Sequence, residues 1–278
     1  MGNDRAGTRG GRVGQAAERA ADSKSFERAA RVGYVASGVL HALIGIIAFQ
    51  IAFGGGGSNA DSSGAVATLS QQPGGIFLIW FCFVGCIALA LFQASRVFLD
   101  GGADKKEVWK KRAIDAGTAI AYGAIGVTFG VFALGGSSDS AQSQVTWTAR
   151  LLSQPAGQLL VGLGGAVIAG IGLYFIYKGF TQKFRENLGP IPGQTWQRTA
   201  TVTGIGGYIA KGISLVILGG LVIAAAATAD PEKSTGLDGA LHTLNEAPLG
   251  WLALAAVGVG LIFYGLYMGL IRARFGKL

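Results

Sequence analysis

The chain has 278 residues, half of them hydrophobic and only 14% charged, with a mean hydropathy of +0.46 and a formal net charge of +8. So apolar a chain is excluded from the disordered class and, as a whole, from the nucleic-acid-binding class, both of which are built from charge and polarity. Its two cysteines cannot supply a disulfide framework.

The first part of the chain, 1–25, is basic and rich in small residues and has no apolar core of the kind a cleaved signal peptide carries. Its arginines and glycines would suit RNA or DNA contact. The expectation is a disordered basic tail lying near anionic lipid headgroups.

Six apolar segments follow, at roughly 33–53, 76–95, 116–136, 156–177, 203–227 and 249–271. The first carries Gly38, His41 and Gly45. The second carries Cys82 and Cys86, one helical turn apart on a single face. The third follows Asp115 and contains Ala119 and Gly126. The fifth holds Lys211, Gly212 and Gly219, and Lys211 is the only Asp, Glu, Lys or Arg within any of the six. About 20 apolar residues cross the hydrocarbon core of a bilayer as a helix. A helix that is apolar all round has no face for water, and the alternation of a spanning strand is missing. The pattern predicts an all-α integral membrane protein with six transmembrane helices. The 47 glycines, unfavourable in soluble helices, allow close backbone approach in a membrane.

Charge predicts the orientation. Of 23 basic residues, 20 lie in the tail, the loops after segments two and four, and the C-terminus. The other three loops hold only Arg150 and Lys233, with Asp61, Asp139, Asp230, Glu232, Asp238 and Glu246. The excess of Lys and Arg on one side predicts that both termini are cytoplasmic and that the protein sits in the plasma membrane. Trp109, Trp147, Trp196 and Trp251 fall near segment ends, where they would act as interfacial anchors.

The segments form three similar pairs, over 26–100, 107–186 and 196–275. Gly33-Tyr34-Val35-Ala36-Ser37-Gly38 matches Gly207-Tyr208-Ile209-Ala210-Lys211-Gly212. In the same register Gly38 and Gly45 match Ala119 and Gly126, and Gly212 and Gly219. Seven residues apart, each pair shares one helix face and predicts a packing seam. A second signature, Leu-x-x-x-Pro-x-Gly, precedes segments two, four and six: Leu69, Pro73, Gly75; Leu151, Pro155, Gly157; Leu244, Pro248, Gly250. Proline is expected to preset the first helical turn there. The stretches 65–69 and 237–244 are expected to form short helices. An aromatic recurs 19 residues after each proline, at Phe92, Tyr174 and Tyr267.

These motifs resemble a bacterial membrane-protein family known as domain of unknown function 1206, in which a paired-helix unit occurs three times. The resemblance covers about 26–275 and implies fold and location, with no activity, cofactor or site residue to carry over. The second unit departs from it, with Ile114 and Asp115 where the others have Gly and Tyr. Because each unit crosses twice, the repeats are parallel and not inverted. The expectation is a pseudo-threefold bundle whose glycine seams on segments one, three and five meet at the axis, either packed or around a pore.

Few residues offer chemistry. Lys211, within a span, is a candidate for binding an anion or lipid headgroup, or else a long stem snorkelling to the near surface. Asp115 would pair with it if segments three and five adjoin. His41 is a proton-relay candidate, or a hydrogen-bonded packing residue. Cys82 and Cys86 lack the further ligands a metal needs and read as core thiols. The glycine runs at 162–165 and 204–207 lack the GxGxxG spacing and follow no strand. No cofactor is expected, and no enzyme constellation is present. The leading expectation is a structural or interaction module that meets the lipid bilayer, a second copy of itself or another membrane protein, with no specific nucleic acid partner. The alternative is a small channel or transporter lined by Lys211, His41, Tyr34, Tyr122 and Tyr208.

Overall fold

A computed structural model of the chain describes residues 24–55, 59–99 and 105–277. The basic tail lies outside the described residues except for its last two positions, which open the first helix. The helices are α1 (Lys24–Ala52), α2 (Ser62–Ser70), α3 (Gly75–Leu99), α4 (Lys105–Ala133), α5 (Ser140–Leu152), α6 (Gly157–Phe180), α7 (Gln194–Thr228), α8 (Gly236–Glu246) and α9 (Gly250–Leu266). A π-helical turn (Tyr267–Arg272) and the short α10 (Ala273–Phe275) prolong α9. Six of these helices, α1, α3, α4, α6, α7 and α9 with its extension, are long and apolar enough to span a membrane. The protein is an all-α, multi-pass membrane protein made of three long–short–long units. Each unit therefore places a short helix between its spans, and the one in the second unit, α5, was not foreseen from sequence.

The Leu-x-x-x-Pro-x-Gly signature is a turn, not the first turn of a helix. The proline sits two residues before each helix begins, at Gly75, Gly157 and Gly250. The amide of that glycine bonds back to the carbonyl three residues earlier, Gly75 to Gln72 at 2.9 Å, Gly157 to Gln154 at 2.9 Å and Gly250 to Ala247 at 2.7 Å. Proline thus takes the second place of a four-residue turn. The third residue is left-handed in all three, Gly74 at φ +77°, Ala156 at +61° and Leu249 at +58°, the pattern of a type II turn. The last glycine is required because a Cβ on Gly75, Gly157 or Gly250 would overlap the carbonyl oxygen of the signature leucine, Leu69, Leu151 or Leu244. That single contact explains the three fixed ends of the motif.

The glycine seams do not meet at the axis as expected. Each instead pairs an odd-numbered span with the last span of the unit before it, in a cycle. A Cβ on Gly38 would stand 2.7 Å from the Gly265 carbonyl oxygen, and one on Gly265 2.5 Å from that of Gly38. Gly45 opposes Gly258 in the same way, so α1 closes on α9. Gly212 opposes Gly172 and Gly219 opposes Gly165, joining α7 to α6. Between α4 and α3 the contact is glycine on side chain, Gly126 on Ile87 and Cys86, and Gly130 on Phe83. The physical reason is spatial. Small residues allow two backbones to touch, whereas an axis between three or more helices must be filled with bulk.

Within the units a second set of glycines operates. Gly33 packs on Gly85 and Leu89 of α3, and Gly207 on the backbone of Tyr264 in α9. Ile114 stands at that register in the second unit and is 55% exposed. There α4 leans on α3 and α6 leans on α7, and the two spans of the second unit are not packed together. The ring of helices is therefore open between α4 and α6.

The bundle interior is divided. Toward the α2–α5–α8 end it is aliphatic, with Leu40, Ile44, Ile47, Val66, Ile79, Leu241, Leu254 and Leu261 buried together. Cys82 and Cys86 are free thiols buried in this cluster. Toward the end carrying the basic loops it is aromatic, around Tyr34, Phe184, Tyr208, Tyr264 and Tyr267. The short helices are tied to one another at the far end. Asp238 Oδ1 accepts from the Ala60 amide at 2.6 Å, Ser63 Oγ from the Ser140 amide at 3.1 Å, and Thr148 Oγ1 donates to Ser234 Oγ at 3.0 Å. Asp61 caps α2 through the Gly64 amide at 2.9 Å, and its burial pushes the carboxyl above its usual range.

Two outcomes follow for thermal unfolding in mild detergent. Gly212→Ala, which drives a methyl into the Gly172 carbonyl, is expected to lower stability by about 1–3 kcal/mol, while Gly170→Ala, with nothing within 4 Å of the new methyl, leaves it unchanged or raises it. Equal losses would mean that the α6–α7 seam is not formed. Ala156→Gly relieves a left-handed alanine that is exposed and so loses little packing. It is expected to gain up to about 1 kcal/mol, and a loss would refute the turn geometry.

Candidate functional site

Three joints at the basic end repeat with the units. Each sets a cation near the end of one span against the second residue of the Gly-Tyr signature on the next span round the ring. Arg272 Cζ lies 4.8 Å from the Tyr34 ring centroid, and its Nη2 donates to the Tyr34 hydroxyl at 3.4 Å. Lys178 Nζ lies 5.2 Å from the Tyr208 ring centroid. In the remaining joint Asp115 takes the place of tyrosine, and Arg96 Nε stands 3.8 Å from its Oδ2. The departure of the second unit from the Gly-Tyr pattern is thus an exchange of a cation–ring contact for an ion pair at the same joint. Asp115 does not pair with Lys211, as the sequence had led one to expect, because α4 adjoins α3 and not α7.

The π-helical turn brings the third cation into register. Arg96 and Lys178 follow their turn prolines by 23 residues and Arg272 by 24. A π turn accommodates one extra residue within a helix, and Tyr267–Arg272 is such a turn. The recurring aromatics do not stay equivalent. Tyr267 is fully buried and donates to the Phe184 carbonyl at 3.2 Å, Phe92 is buried, and Tyr174 is 50% exposed.

Lys211 lies level with the α6 residues Gly172 and Phe175, about two turns in from the basic end of that helix. Its ammonium turns inward and does not snorkel. Nζ is 3.1 Å from His41 Nε2, 4.3 Å from the Tyr264 ring centroid and 5.5 Å from that of Phe175. His41 Nδ1 lies 2.8 Å from the Ser37 carbonyl oxygen. A carbonyl only accepts, so Nδ1 carries the proton and Nε2 offers its lone pair to Lys211. The His41 ring also packs on Tyr264 at 4.8 Å between centroids. Tyr122, from α4, packs against the same aromatic cluster. Lys211 and His41 are therefore brought together, and Asp115 stands apart from both.

Phe184, in the loop after α6, closes this region at the basic end. It is fully buried, stacks on Tyr208 at 5.4 Å and meets Tyr267 edge-on at 5.4 Å. The loop is held by the Gly189 amide on the Phe275 carbonyl, 2.7 Å, and the Lys277 amide on that of Asn187, 3.0 Å. Arg31 adds bonds from α1 to the carbonyls of Ala273 and Arg274, at 2.7 and 2.9 Å.

Among the described residues no carboxylate comes within 4.0 Å of Lys178, Lys211 or Arg272. The site combines cations, aromatic faces and phenol hydroxyls. Such a set holds anions by charge and hydrogen bonding. Sequence reasoning singled out Lys211 and His41 but missed Lys178, Arg272, Phe175, Phe184 and Tyr264. The one signal available was the cation recurring 23 or 24 residues after each signature proline.

The profile of a family described as Domain of Unknown Function (DUF1206) matches the chain three times, over residues 32–100, 116–182 and 206–276. A protein of Bacillus subtilis (strain 168), itself uncharacterized, is 34% identical over 250 residues, which is 87% of this chain and 88% of its own length. No solved structure matches. The three matches fall on the three long–short–long units, and the chain belongs to the DUF1206 family.

Proposed function

We propose that this protein is a non-catalytic interaction module of the plasma membrane, with both termini in the cytoplasm. The observation that carries the reading is the divided interior. Its aliphatic half, from Leu40 and Ile44 to Leu254 and Leu261, is packed mainly with apolar side chains. In its aromatic half, tyrosine and phenylalanine rings from several spans pack against one another. A solute path needs polar groups in series across the membrane, and this arrangement does not favour the channel or transporter reading. What the bundle offers instead is surface. The spans α4 and α6 are the least covered of the six and expose Ile120, Val127, Leu163, Val167 and Leu173.

Orientation is tested by labelling intact cells with a membrane-impermeant maleimide. In a chain freed of Cys82 and Cys86, Ser137→Cys is expected to react from outside and Lys183→Cys only after permeabilisation. The reverse would invert the topology, since both sites are exposed and lie at opposite ends of the bundle. The molecular role is tested by gentle purification from native membranes with mass spectrometry, alongside flux into vesicles holding the purified chain. A stoichiometric membrane protein or lipid, with flux no greater than in empty vesicles, is expected. Solute or proton flux above that background, lowered by Lys211→Ala, would overturn the reading in favour of transport.

A further inference from the structure

Three cations at the basic end of the bundle face one region. Lys211 comes from α7, Lys178 from α6 and Arg272 from the end of the α9 span. Arg272 repels both lysines through space. Aromatic faces offset part of this cost, and His41 gives one lone pair to Lys211. Glu186 attracts Lys178 from a distance. The other groups facing the region are the phenol side chains of Tyr34, Tyr122, Tyr208, Tyr264 and Tyr267. Arg272 Nε is buried and has no hydrogen-bond partner. A cation in the depth of a membrane, as Lys211 is, pairs with an anion or lines a path, and the aliphatic half of the interior speaks against a path.

Access is specific as well. Phe184 and its loop close the region at the basic end. The aliphatic core closes it at the other. The side between α4 and α6 is open, because Ile114 replaces the glycine that seals the other two units. Lys211, His41, Tyr122 and Phe175 all retain part of their surface accessible, although they lie deep in the bundle.

We infer that Lys178, Lys211 and Arg272 form a site for an oxyanion of the phosphate class, reached sideways from the bilayer between α4 and α6. The phosphate of an anionic phospholipid fits this geometry, its acyl chains remaining in the opening. A free phosphate carries the same recognised group. The inference deepens the interaction reading above by naming a ligand class.

The test uses the purified full chain in mild detergent with three probes: phosphatidylglycerol mixed micelles, phosphatidylcholine mixed micelles and inorganic phosphate. Binding is read by native mass spectrometry and by the shift of the unfolding midpoint. Phosphatidylglycerol is expected to bind at least 10-fold more tightly than phosphatidylcholine. Lys211→Gln and Lys178→Gln should each weaken it about 10-fold, and Lys211→Arg should retain it. Lys233→Gln, at the far end, should leave it unchanged. If inorganic phosphate raises the midpoint equally and displaces the lipid, the site stands and its source is the free ion. Equal binding of both lipids, with no effect of phosphate, overturns the inference. So does an undiminished preference in Lys178→Gln, the variant that decides if Lys211→Gln fails to fold. Only chain and probe are present, so the result is independent of any co-purifying protein and of any vesicle flux.

Discussion

The fold depends on one kind of contact, the meeting of two backbones across a glycine. In a bilayer the lipid tails are as apolar as leucine, so helices gain nothing by merely hiding side chains from solvent. They gain by close packing, and that gain is largest where no side chain intervenes. Gly38 with Gly265, Gly45 with Gly258, Gly212 with Gly172 and Gly219 with Gly165 set two of the three joints between units. The third, between α3 and α4, has one glycine partner and one bulky partner at each level, Gly126 with Ile87 and Gly130 with Phe83. From these joints the position of every other group follows, including the cations that each span presents to its neighbour.

The same contact explains how the threefold pattern is broken. Gly33 and Gly207 seal the first and third units, and Ile114 keeps the second apart. One position in the repeat thus decides whether the ring of spans is closed or open. The cation–tyrosine joints keep the threefold pattern even there, through the substitution of Asp115 for tyrosine and through the π-helical turn that restores Arg272 to register. Symmetry is retained where charges must be held and given up where the ring opens.

Much of this was legible in the sequence. Span number, the threefold repeat and the small-residue faces follow from apolar length and from spacing, because bilayer thickness and helix pitch are fixed quantities. The partner of each glycine face was not legible, since spacing gives a face but not what it meets. The role of the proline was misjudged for a related reason. Proline suits both the first turn of a helix and the second place of a type II turn, and the left-handed Gly74, Ala156 and Leu249 and the turn hydrogen bonds separate the two. Lys211 was marked by its charge, but its direction depended on His41, 170 residues away in sequence. Lys178 and Arg272 looked like ordinary positive charges at span ends.

The closing of α9 on α1 bears on how the protein is made. The joints α3–α4 and α6–α7 link spans that follow one another in the chain, so each can form as soon as its second span enters the bilayer. The glycine face of α1 has no such neighbour. Gly38 and Gly45 must wait for Gly265 and Gly258, which emerge more than 200 residues later. Until those residues are made, that face of the first span therefore lacks its partner. The first and last spans clasp each other there, secured by Arg31 on the carbonyls of Ala273 and Arg274. Truncation near the C-terminus would thus reach the first helix as well as the loop after α6.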